Sequence, residues 1–212
     1  IVDRSGVAGG KVGEPVKLAA IADFTHLMEP DGSLYPHLVA DALTALVLVL
    51  GLGADRETAL EALQAFKPGG HRIETVAEAR VNGGVIRFVD DSKATNVDSV
   101  YYALESMTRP VVWIAGGTDK GNDYEPLKAF ARAKVHTLVC MGADNTKLIE
   151  EFTGVVPEVV STGSLDAAME AAKAAAQPGD AVLLSPACAS FDLFKNYENR
   201  GELFKAWVNE KA

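Results

Sequence analysis

Four short stretches gather side chains that can bind anions or orient a nucleophile. Asp90-Asp91-Ser92-Lys93-Ala94-Thr95-Asn96 sets two carboxylates, an ammonium and two hydroxyls side by side. At the start of a helix, such a cluster can grip a phosphate or carboxylate with free backbone N–H groups. It also reads as a capping sequence, with Thr95 or Asn96 as N-cap and Asp91 paired to Lys93. In Gly116-Gly117-Thr118-Asp119-Lys120-Gly121-Asn122-Asp123, the glycines allow close backbone approach to a ligand. Lys120 is a point charge suited to a carboxylate or phosphate there, or simply a solvated lysine on a turn. Ser185-Pro186-Ala187-Cys188-Ala189-Ser190-Phe191-Asp192 offers hydroxyls ahead of the last helix, with Ser190 the natural N-cap. Arg72, in His71-Arg72-Ile73-Glu74, carries a planar fork that suits an anion, or a salt bridge to Glu74.

Other chemistries are missing their residues. No Walker A string and no GxGxxG fingerprint occurs. No histidine follows Cys188, so a thiol nucleophile lacks a downstream base. The histidines at 26, 37, 71 and 136 have neither HxH nor HExxH spacing, and no metal site is expected. The formal net charge of −9 argues against a nucleic-acid partner. Two cysteines, Cys140 and Cys188, without metal spacing, fit a reducing cytoplasm. The longest apolar run, residues 42–52, is too short for a bilayer, which needs about 20 residues. The opening IVDRSGVAGG has no signal-peptide pattern.

The elements that must position these loops form two groups. Glycines at 6, 9, 10 and 13 and Pro15 break any periodicity at the start, and Lys17–Phe24 reads as a strand or one helical turn. Helical spacing then runs from Pro36 to Leu50, and a second helix, capped by Asp55, spans Arg56–Phe66. Residues 66–70 read as a linker. Beyond it, short apolar runs alternate with helices. Strands are predicted at 85–89, 111–115, 137–141, 158–160 and 181–184, and helices at 97–107, 125–133, 146–152, 165–176 and 192–208. Near-continuous apolar strands with helical crossovers imply an α/β, mostly parallel, Rossmann-like sheet covered on both faces. The ligand site then lies in the loops after the strands.

Taken in order, HRIE, DDSKATN, AGGTDKGND and LLSPACASFDLFKNYENRG resemble the C-terminal domain of the Mur ligases, in the branch that adds D-glutamate. The resemblance covers about Phe66 to the C-terminus. It implies that residues 70–212 form the amino-acid-binding domain and residues 1–69 the end of the central ATP-binding domain. Segment 37–41 is similar to the family's HNxxN helix but reads His-Leu-Val-Ala-Asp, with both asparagines replaced. The P-loop and the UDP-binding domain have no counterpart here, so this chain alone is expected to be inactive.

The activity implied is ATP-dependent phosphorylation of the carboxylate of UDP-N-acetylmuramoyl-L-alanine, then attack by the amine of D-glutamate on the acyl phosphate. ATP and Mg2+ are implied, the latter with ligands outside this chain. The partners implied are D-glutamate, UDP-N-acetylmuramoyl-L-alanine and ATP, with neither nucleic acid nor membrane, in a monomeric cytoplasmic enzyme of peptidoglycan synthesis. By similarity, Thr95 and Lys120 hold one carboxylate of D-glutamate, and Ser190 and the backbone around Tyr197 hold the other. Arg72 and Asp91 correspond to residues on the nucleotide side, Asp41 to one near the adenine, and Lys93 to the lysine near the reacting phosphate. Lys93 and Lys120 are thus the expected catalytic pair. The departures also allow a second reading, a non-catalytic α/β binding or interaction module derived from a Mur ligase.

Overall fold

The computed structural model describes residues 2–3, 16–17, 19–28, 34, 36–67 and 69–212. The chain divides into two compact units, Ile1–Pro68 and Gly69–Ala212. The glycines before residue 14, Pro15 and linker residue Pro68 lie outside the described residues, as do the side chains of His26 and His37.

In the first unit, a two-residue strand β1 (Val2–Asp3) pairs antiparallel with β2 (Val16–Lys17). The Lys17–Phe24 alternatives both appear in part: Lys17 is in β2, and Ile21–Asp23 makes a single 3-10 turn. Helices α1 (Pro36–Gly51) and α2 (Arg56–Ala65) follow the apolar spacing. Asp55 caps α2 by accepting from the amide of Thr58 at 2.9 Å. A small core forms around Phe24, Leu27 and Ala42.

The second unit is a six-stranded sheet in the order β3-β4-β8-β5-β6-β7. Its strands are β3 (Glu74–Val81), β4 (Gly84–Asp90), β5 (Val111–Ala115), β6 (Val135–Met141), β7 (Glu158–Thr162) and β8 (Ala181–Leu184). All neighbours run parallel except β3, which pairs antiparallel with β4. Helices α3 (Val97–Ser106), α4 (Lys128–Lys134), α5 (Thr146–Phe152), α6 (Leu165–Ala175) and α7 (Tyr197–Lys211) complete it.

Alternation along β5 explains why this strand reads as a continuous apolar run. Val111, Trp113 and Ala115 enter one core with Leu104 of α3 and Phe152 of α5. Val112 and Ile114 enter the other, with Met169 of α6 and Phe204 and Trp207 of α7. Both faces are buried, so no polar position interrupts the strand.

Three expectations need correction. β3 was not foreseen. The 125–133 helix divides into a 3-10 turn at Glu125–Leu127 followed by α4. The last helix starts at Tyr197, not Asp192, because the Asn196 side chain caps it by accepting from the amide of Asn199 at 2.8 Å. Ser190 is therefore not its N-cap. Among the described residues, no helix is long and apolar enough to cross a membrane.

Candidate functional site

Strands β4, β8 and β5 are adjacent and parallel, so the loops that follow them share one edge of the sheet. Hydrogen bonds join those loops. The amide of Ala187 donates to Ala94 O at 2.9 Å, that of Gly116 to Pro186 O at 2.9 Å, and that of Thr118 to Ala189 O at 2.8 Å. Gly116 and Gly117 have φ of 132° and 130°. A Cβ on Gly116 would run into the carbonyl of Met141, and one on Gly117 into that of Ala189. The Gly-Gly pair is thus required for the loops to meet.

The loop after β4 is held by buried charge. Asp91 accepts from Ser185 Oγ at 2.7 Å and from the amide of Ile73 at 3.2 Å. Burial raises its pKa to about 7, with the charge of Asp90 adding to the rise and the two hydrogen bonds opposing it. Asp90 Oδ2 lies 2.6 Å from His71 Nδ1, and Asp90 Oδ1 accepts from the amide of Ser92 at 2.9 Å. Arg200, fully buried on α7, donates from Nε to Ser92 Oγ at 2.9 Å and from Nη2 to Ser92 O at 2.8 Å. Nη1 reaches Cys188 O at 3.4 Å. Ser92 Oγ in turn donates to Tyr197 O at 2.8 Å. Burial lowers Arg200 to about 10, which still leaves it charged at neutral pH. Sequence reasoning missed Arg200. Its signal is helical spacing: positions 200, 204, 207 and 208 share the buried stripe of α7.

The loop after β5 is clamped differently. Tyr124 Oη donates to Asp119 Oδ2 at 2.7 Å and lies 3.2 Å from Cys188 Sγ. Asn122 Nδ2 donates to Tyr124 Oη at 3.1 Å and to Ala187 O at 3.0 Å. Lys147 Nζ donates to Asn122 O at 2.6 Å. Burial raises the Asp119 carboxyl, but the Tyr124 hydroxyl, two amides and Lys147 together carry it below its ordinary value. Burial also pushes the Cys188 thiol up, away from thiolate chemistry.

The expected site residues divide into three sets. Arg72, Lys93, Thr95, Lys120, Ser190 and Tyr197 all belong to the second unit and sit on or beside the three joined loops. Arg72 and Lys120 are exposed, whereas Ser190 is buried. The Lys93 ammonium lies over the Tyr197 ring, 5.6 Å from its centroid. Asp91 is committed inward, and its partners are Ser185 and Ile73 rather than Lys93. Glu74 pairs with Lys205 at 2.7 Å, not with Arg72. Asn96, not Thr95, caps α3, accepting from Ser99 N at 2.8 Å. Asp41 is exposed on α1 in the first unit and is not among the residues that the second unit assembles.

One group among the described residues has the donors for a metal ion: His71, Glu74 and Asp90. The Lys205 ammonium already sits there, 2.7 Å from Glu74 and 4.0 Å from Asp90, and supplies the compensating charge. With an imidazole nitrogen already engaged by Asp90 and an ammonium among the carboxylates, the set is an ion-pair cluster and not the all-oxygen set that suits Mg2+.

A family model described as Mur ligase, glutamate ligase domain, matches residues 71–188. UDP-N-acetylmuramoylalanine–D-glutamate ligase of Bifidobacterium longum subsp. infantis is 58% identical over 215 residues, covering 97% of this chain and 45% of that protein. The protein of the same name from Cytophaga hutchinsonii is 47% identical over 176 residues, covering 83% of this chain and 38% of that protein. The chain thus spans less than half the length of these curated relatives. In fold, it is similar to UDP-N-acetylmuramate–alanine ligase MurC from Thermotoga maritima, with a TM-score of 0.57 at 18% identity. That likeness covers 84% of this chain and 39% of the other.

Proposed function

The chain belongs to the Mur ligase family, and on that premise we propose that it is the amino-acid-binding part of an enzyme that joins D-glutamate to UDP-N-acetylmuramoyl-L-alanine. The reaction runs through ATP-dependent formation of an acyl phosphate and attack by the D-glutamate amine, in the cytoplasmic synthesis of peptidoglycan precursors. Such chemistry asks the protein for charge at the phosphates and an amine held in line, with no covalent help.

One observation carries this reading. Arg72, Lys93 and Lys120 stand on or beside the hydrogen-bonded loops, and among the described residues none of them makes an ion pair within 4 Å, although the charge of Arg72 acts on Asp91. Unpaired cations on joined loops suit a ligand with several anionic groups. In the proposed arrangement, Lys120 and Thr95 bind one carboxylate of D-glutamate. Ser190 and the first amides of α7 bind the other, at the positive end of that helix. Arg72 faces the ATP phosphates, and Lys93 stands near the phosphate that leaves. Asp91 contributes by fixing the loop, since its oxygens already have partners. Mg2+ is proposed to be held by residues outside this chain. The free, buried thiols Cys140 and Cys188 agree with a reducing compartment.

The test separates the two ligands. Lys120→Ala is expected to weaken D-glutamate binding about tenfold or more, the value of a lost charged hydrogen bond, and to leave ATP binding nearly unchanged. Equal losses for both ligands would refute the assignment.

A further inference from the structure

Among the described residues, three that are not glycine have positive φ: His71 at 64°, Ile73 at 45° and Ala187 at 61°. Two of them flank Arg72. Each such residue costs about 1–3 kcal/mol, and a β-branched isoleucine is especially disfavoured there. Glycine would avoid the penalty at both positions, yet both carry side chains.

Both are anchored. The His71 imidazole is buried against Asp90 at 2.6 Å, its amide donates to Glu74 Oε2 at 3.0 Å, and its carbonyl accepts from the amide of Lys93 at 3.1 Å. The amide of Ile73 donates to Asp91, and its side chain packs on the core of β5 and α3. Gly201 on α7 makes room, since a Cβ there would run into the His71 ring. Between two residues that turn inward, Arg72 is exposed.

We infer that Asp90 and His71 are positioning residues: their contact holds a turn with left-handed backbone on both sides of Arg72, and that turn presents the Arg72 guanidinium to the phosphates of ATP. Strain of this kind persists only where the surroundings over-determine it. A flexible linker would deliver the same charge without a fixed direction, at a larger entropic cost on binding. The inference rests on the reading of Arg72 as an anion contact.

A double-mutant cycle tests it. ATP is titrated into the 212-residue chain by NMR, for the wild type, Arg72→Ala, Asp90→Ala, Asp90→Asn, and the Arg72→Ala/Asp90→Ala and Arg72→Ala/Asp90→Asn pairs. Arg72→Ala is expected to weaken ATP binding about tenfold. Asp90→Ala is expected to approach that loss, and the pair to be no weaker than Arg72→Ala alone, because Asp90 acts through Arg72. Asp90→Asn keeps the shape and the acceptor for Ser92, and it serves the same comparison if the alanine variant fails to fold. It is expected to lose about threefold, again with no further loss when Arg72 is absent. Losses that multiply in the pair, or an Asp90 variant with wild-type affinity while Arg72→Ala is impaired, would overturn the positioning role alone. Undiminished binding in Arg72→Ala, or no binding by the wild type, would overturn the anion reading and this inference with it.

Discussion

The loops after β4 and β5 both present free cations, yet they are held by different means. The β4 loop rests on buried ionisable groups, Asp90 and Arg200 together with Asp91, which keeps its proton below about pH 7, and on strained backbone at His71 and Ile73. The β5 loop rests on glycines, a tyrosine hydroxyl and an amide side chain, with one partly exposed carboxylate, Asp119. A buried charge fixes direction strongly because leaving it unpaired costs so much. Hydroxyl and amide contacts fix a loop more gently. The contrast suits the proposed duties. A phosphate contact needs a fixed charge, and an amino-acid contact gains from a loop that settles around its ligand.

Removing Arg200 should break the comparison most visibly. Arg200→Ala leaves the carbonyls of Ser92 and Cys188 without their donor, and about 3–5 kcal/mol of stability should be lost. Urea unfolding followed by tryptophan fluorescence reads this unit alone, because both tryptophans, Trp113 and Trp207, lie in it. A loss below about 1 kcal/mol, the worth of an ordinary hydrogen bond, would mean that buried charge does not hold the β4 loop.

Asp91 should give the next largest effect. Its pKa is raised to about 7 in the folded chain, against 3.8 ordinarily, so the folded state keeps a proton that the unfolded state releases. Its contribution to stability therefore falls as pH rises from about 4 to 7, by up to about 1.4 kcal/mol per unit, and is level above. Asp91→Asn should gain on the wild type by about 2 kcal/mol between pH 5 and pH 7.5 on this linkage. A pH-independent difference would contradict the burial assigned to Asp91. The smallest effect belongs to the β5 loop. Tyr124→Phe removes the donor to Asp119 and should cost about 1 kcal/mol in the same unfolding experiment. A loss as large as that of Arg200→Ala would erase the distinction between the loops.

The parallel strands were legible because burial on both faces turns them into apolar runs, as Val111–Ala115 illustrates. β3 was less legible, since Glu74, Thr75, Glu78 and Arg80 interrupt its apolar residues at the sheet edge. A turn signal was present nonetheless: Asn82-Gly83 joins Val81 to Gly84, the two-residue hairpin that such a dipeptide favours. The start of α7 was set too early because Ser190, Asp192 and Asn196 are all plausible caps, and the choice is made by packing around Ser92 and Arg200. The cations of the proposed site stand in local motifs, and the family resemblance is what singles them out. What holds them could not, because Arg200 and Ser92 meet across more than a hundred residues, and the His71–Asp90 contact also joins residues distant in sequence.

The most direct measurement is an NMR titration of this chain with D-glutamate and, separately, with L-glutamate. The proposed site predicts shifts confined to Thr95, Lys120, Ser190 and Tyr197 and their loops, stronger for the D isomer. Equal shifts for both isomers, or shifts elsewhere, would contradict it.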